Sequence, residues 1–269
     1  MTTPLHIVVC ASVVPDPLQT LEPVTSPTGP ALKNESMLPA ILDPWAACAL
    51  YEAGELAKKN PGSKLWLVSL APKAKLQQVM MSIAKKLPFE LVAVDGPSGG
   101  FVDAAATADA LAAAIKAIPG IDLGNLLLFG GWESASRAAG VTLARVGEQL
   151  GILDQFQGVD RITRRDDGSF EILERVEGGQ HQISVLSAAP LVAGWATGEL
   201  PEPPNNPQVG MANMRTIMPA IMKAKATPVA CSAKYGTVAV PKQQRETRIV
   251  KDTPAGQIAQ EILQWIGEE

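Results

Sequence analysis

Short apolar runs rich in β-branched residues recur through the first half of the chain, and a segment with helical spacing follows each. The runs occupy 5–11, 64–70, 90–94 and 125–129. Their length and composition predict buried strands. The segments between them predict helices at 43–59, 73–86, 103–117 and 134–150. The first of these opens on Asp43-Pro44, a capping carboxylate followed by proline at the first turn, and stops at Asn60-Pro61-Gly62. A long loop carrying Pro15, Pro17, Pro23, Pro27 and Pro30 precedes it. Strands alternating with helices predict βαβ units, hence an α/β fold with a parallel sheet and helices on both faces.

The pattern changes after Gly158. Residues 159–164 and 170–176, joined by Asp166-Asp167-Gly168, predict an antiparallel hairpin, and 182–186 returns after Gly178-Gly179. A last short strand is expected at 190–195. Pro201, Pro203, Pro204 and Pro207 then mark 198–210 as an extended arm. A short helix with a basic end follows the arm, containing Arg215, Met218, Pro219, Ile221, Met222, Lys223 and Lys225. At 254–269, Ile258, Ile262, Leu263 and Ile266 share one face of a terminal amphipathic helix. The expected division is an α/β domain over 1–197, with the hairpin addition at 158–187, and a C-terminal arm with a partner-docking segment over 198–269.

The 269 residues, 46% of them hydrophobic, suffice for a full core. A net charge of -4 gives no electrostatic case for nucleic acid or an anionic membrane. Cys10, Cys48 and Cys231 are far apart, odd in number and without metal-ligand spacing, so free thiols in a reducing compartment are expected. A strand-like run follows Met1-Thr-Thr-Pro4 at once, and no apolar run has the roughly 18 residues of a membrane span. A cytoplasmic protein without a transmembrane segment is the expectation.

Parallel α/β sheets bind ligands at the carboxyl ends of their strands. The richest such loop is Phe129-Gly130-Gly131-Trp132-Glu133-Ser134-Ala135-Ser136-Arg137-Ala-Ala-Gly140. Glycines allow backbone to approach a ligand, a helix N-terminus offers N–H groups to a phosphate, and Ser134, Ser136 and Arg137 add donors. An ordinary strand-to-helix turn with a serine cap is the competing reading. Ser98-Gly99-Gly100-Phe-Val-Asp103 is expected to be a helix cap. His6, His181, Asp166-Asp167, Glu174 and Glu177 read as structural or solvated groups, leaving no nucleophile, general base or metal cluster.

The stretch from Arg215 to Lys225 resembles a signature of the electron transfer flavoprotein β-subunit family, with Arg215, Pro219, Ile221, Met222, Lys223, Ala224 and Lys225 matching and Met218 in place of a leucine. Other landmarks fall in the family's order. Ile7-Val-Val-Cys10-Ala-Ser-Val-Val14-Pro15-Asp16 is similar to its opening strand and loop. Asp43-Pro44-Trp45 with Ala49-Leu50-Tyr-Glu52-Ala53 resembles its first helix start, and Val68-Ser69-Leu70-Ala71-Pro72 its second strand end. Glu174-Arg175-Val176-Glu177-Gly178-Gly179 and Ala189-Pro190 resemble its hairpin and the approach to its last strand. The resemblance spans about 5–228.

The resemblance implies a Rossmann-like fold of the adenine-nucleotide-binding type. It implies an electron-carrier subunit, not an enzyme, that pairs with an α subunit. The heterodimer would carry FAD held mostly by that partner, and would shuttle electrons from an acyl-CoA dehydrogenase-type donor to a quinone reductase or other acceptor. This subunit would bind AMP, or a second FAD in an electron-bifurcating version. Carried over by position, the nucleotide contacts are Cys10, Ala11, Asp43, Pro44, Trp45, Leu70, Gly130, Gly131, Ser134, Ser136, Arg137 and Gly140. Partner docking falls to Met218, Pro219, Ile221 and Met222, with Met218 as the anchor that meets the donor. The loop after the fourth strand departs from the family: Gly130 and Gly140 match, while its Asp cluster and Gln give way to Ser134, Ser136 and Arg137. Ser12 and Val13 replace a Lys-Gln pair, and Asp43 an Asn. A free-standing adenine-nucleotide-binding protein is the alternative.

Overall fold

The computed structural model describes residues 3–27, 29–99, 101–136, 140–229, 238–239, 242 and 249–267. The strands are β1 (His6–Cys10), β2 (Val13–Pro15), β3 (Pro23–Ser26), β4 (Gly29–Leu32), β5 (Ala40–Leu42), β6 (Lys64–Leu70), β7 (Glu90–Val94), β8 (Leu126–Gly131), β9 (Gln155–Arg164), β10 (Phe170–Val176), β11 (Gln180–Leu186) and β12 (Leu191–Trp195). The helices are α1 (Pro44–Lys59), α2 (Lys73–Ile83), α3 (Ala104–Lys116), α4 (Val141–Gln149), α5 (Pro207–Lys223) and α6 (Ala255–Gly267).

Eight strands form one sheet in the order β11-β10-β9-β12-β8-β1-β6-β7. β1 runs parallel to β6 and β8, β6 to β7, and β12 to both β8 and β9; β10 and β11 extend the sheet antiparallel. This is the expected α/β architecture. Successive residues of each strand point to opposite faces. Ile7, Val9, Leu65, Leu67, Leu127 and Phe129 therefore pack in one core layer with side chains of α1, α2 and α5. Val8, Trp66, Val68, Leu126 and Leu128 pack in a second layer with α3 and α4. Burial on both faces explains why these strands read as continuous apolar runs.

Three features differ from the sequence reading. The proline-bearing loop before α1 is not irregular throughout, because β2 pairs with β5 and β3 with β4 in two small antiparallel sheets. The helix expected from Ser134 begins only at Val141, after Gly140 in a left-handed conformation. The third concerns the segment after 198, which does not stand away from the body: α5 packs on α2 and β7 and buries Gly210, Asn213, Ile217 and Ile221.

The chain forms two compact units, Met1–Thr237 and Val238–Glu269. The second contains α6, with Ile258, Ile262, Leu263 and Ile266 exposed, as does Trp265. Among the described residues no helix is long and apolar enough to cross a membrane.

Candidate functional site

Topology sets the position of the main cleft. From β1 the chain steps to β6 and β7 on one side of the sheet, and β8 then returns on the other side of β1. The loops leaving β1 and β8 diverge there, which opens a crevice at the carboxyl ends of the strands. A cavity of about 230 Å³ lies at that point. The end of β1 lines it with Cys10 and Ala11, the end of β6 with Leu70, and the loop after β8 with Gly131, Ser134, Ser136 and Gly140. The loop after β7, another strand-end loop, adds Pro97, Ser98 and Gly99, and the rest of the wall comes from Thr107 and Leu111 of α3 and from the first turn of α4. Ser98-Gly99 had been visible only as part of a helix cap. That cap exists, since Asp103 accepts from the N–H groups of Ala105 and Ala106. Nothing local to α3 announces its second role as a wall.

Asp43 organises the mouth. It is 1% exposed. Its carboxylate accepts from the Trp45 N–H at 3.2 Å, capping α1, and from the Ala135 N–H at 2.8 Å in the loop after β8. The Ser12 hydroxyl on the loop after β1 also donates to it. One carboxylate thus ties three elements together. Burial pushes its pKa above the usual carboxylate value, and the backbone and Ser12 hydrogen bonds work in the opposite direction.

Two glycines permit the close approach on which this mouth depends. A Cβ on Gly131 would sit 2.7 Å from the Trp45 Cβ. Gly140 has φ +61°, and a Cβ there would collide with the Trp132 carbonyl oxygen. Pro44 and Trp45 do not line the cavity; they build the first turn of α1 against the loop after β8. Gly130 lies against the Cys10 carbonyl and Leu143. Arg137 lies outside the described residues.

Burial pushes the Cys10 thiol up to about 12, so it lines the cavity wall as a protonated thiol at neutral pH. The charged residues described on the lining, Asp43 and Glu133, are both acidic. The walls are otherwise mainly apolar, with the Ser134 and Ser136 hydroxyls 3.4 Å apart. Such a site suits a flat heterocycle more than a polyanion.

The other expected residues fall elsewhere. Ile221 is 2% exposed and belongs to the core, Met222 is 71% exposed, Pro219 is exposed and Met218 half-buried. His6 accepts from the Asp122 N–H and stands edge-on to Trp66, and Asp167 accepts from Ser169 in the hairpin turn, both structural roles. His181 approaches the buried Asp160 at 3.0 Å, and Arg175 also grips that carboxylate.

No protein-family model matches this chain, and no curated protein sequence matches it.

Proposed function

We propose that the chain is a β-type subunit of an electron transfer flavoprotein, with an adenine mononucleotide in the switch-point cavity and an α subunit as its partner. The observation that carries this reading is that the loops after β1 and β8 line one cavity and are bridged across it by Asp43. Those two loops are where the family resemblance puts its nucleotide.

The residues fit a nucleoside. Ala11, Leu70, Leu111 and Leu143 supply apolar walls, and Ser134 and Ser136 supply hydroxyl donors. The first turn of α4, whose N-cap is Gly140, presents its N–H groups at the same wall. A volume of about 230 Å³, small against the roughly 300–1,000 Å³ of ordinary ligand pockets, favours AMP, the smaller candidate, over a second FAD. Electron chemistry belongs to the FAD shared with the partner. This chain's part is to hold its own nucleotide, keep water from the apolar floor, and present a docking surface on α5. An acyl-CoA dehydrogenase-type donor and a quinone reductase or other acceptor complete the proposal.

The test is to purify the chain with its native partner, denature the complex and count flavin and AMP. One FAD and one AMP per heterodimer is the expected result. Two FADs would favour the bifurcating version. A stable, partnerless monomer that hydrolyses nucleotide would overturn the proposal.

A further inference from the structure

A second cavity, of about 1040 Å³, lies at the opposite pole of the same unit, beside the amino ends of β6 and β7. Tyr51 of α1, Leu87 and Phe89 before β7, and Val209 of α5 form part of its wall, and Pro201 and Pro203 close one side. Those two prolines present apolar rings and no N–H groups. Tyr51 is 9% exposed, and among the described residues its hydroxyl makes no hydrogen bond. The hydroxyl is not among the buried polar atoms left without a partner, so it keeps access to solvent beside the cavity that Tyr51 lines and can donate to a molecule there.

We propose that this cavity is a second binding site, for a neutral and mainly apolar small molecule carrying one hydroxyl or carbonyl group that meets the Tyr51 hydroxyl. The charges around the cavity decide against an ionic ligand, because they are already committed. Glu55 pairs with Lys58 and Lys59, each at 3.6 Å. Glu90 accepts from the Trp66 indole N–H, and the Lys64 ammonium stands 5.9 Å from the centre of that ring. Glu202, whose charge is felt at Tyr51, pairs with Lys86 at 2.6 Å. An ion entering the cavity would compete with these arrangements, whereas a neutral molecule leaves them intact. Burial, reinforced by Glu202, raises the pKa of Tyr51 well above the ordinary phenol value. The group therefore stays protonated and able to donate at neutral pH. The site is independent of the nucleotide proposal, since it shares no lining residue with the switch-point cavity.

Fluorine NMR titrations of the full chain with 4-fluorobenzyl alcohol and 4-fluorotoluene test the site. Both probes are expected to saturate, the alcohol several-fold more tightly. Tyr51→Phe is expected to remove that advantage, about 3- to 10-fold for one hydrogen bond, and to leave fluorotoluene unchanged. Val209→Trp, which narrows the cavity from α5, is expected to weaken binding of both. Saturating AMP is expected to alter neither affinity. The proposal is overturned if neither probe saturates, if the advantage survives in Tyr51→Phe, if Val209→Trp leaves both affinities unchanged, or if AMP competes.

Discussion

Asp43 shows how one side chain can serve as helix cap and loop clamp together. Asp43→Ala removes the acceptor from the Trp45 and Ala135 N–H groups, so a loss of about 1–2 kcal/mol is expected in urea denaturation. Weaker nucleotide binding should accompany it, because the loops after β1 and β8 are no longer held together. Asp43→Asn keeps one good acceptor and should cost less. The two proteins should also differ with pH. The folded-state pKa of Asp43 lies above the usual value of 3.8. The stability linked to this shift is fully present below that value and is lost as pH rises through the folded-state pKa. Wild type should therefore gain on Asp43→Asn as pH falls from neutrality towards 4, and denaturation midpoints at several pH values measure this. A constant difference would show that Asp43 is not held at a raised pKa.

At the scale of elements, α5 combines an anchor and a presented face. The Asn213 side-chain amide donates to the carbonyls of Ala84 and Leu87, both at 2.8 Å, and so locks α5 to the end of α2. Asn213→Ala leaves both carbonyls without that donor, and a cost of about 1–3 kcal/mol is expected, with faster hydrogen exchange in α5. On the same helix Ile221 points into the core and Met222 outward. Ile221→Ala should act through stability, by about 2–5 kcal/mol. On the proposed function, Met218→Ala and Met222→Ala should instead slow electron transfer from the donor, by about tenfold for a docking anchor, with heterodimer and flavin content intact. Unchanged transfer kinetics in both methionine variants would remove docking from α5.

At the scale of the whole molecule, both core layers lie inside the first compact unit. A chain ending at Thr237 should therefore unfold cooperatively within about 2 °C of the full chain in calorimetry. A drop of many degrees would mean that 238–269 completes that core. Much of the architecture was legible in the sequence. β6 and β7 fall on the expected residues, and α1 begins one residue after its predicted cap, because local spacing and capping chemistry are properties of neighbouring residues. The candidate site was half legible. Loops at the carboxyl ends of parallel strands can be found by eye, so Cys10, Ala11, Leu70 and the loop after β8 were within reach. The loop after β7, with Pro97, was within reach for the same reason, but Thr107 and Leu111 were not, because their part in the cavity depends on where α3 lands relative to α4. Sequence by itself determined the order of the strands and helices of the central parallel sheet, since apolar runs of that length have to be buried on both faces. Tertiary structure alone decided that α5 packs on the body, that Asp43 joins three elements, and that a second cavity opens at the opposite pole. Each of these rests on contacts between residues far apart in the chain, which local periodicity does not encode.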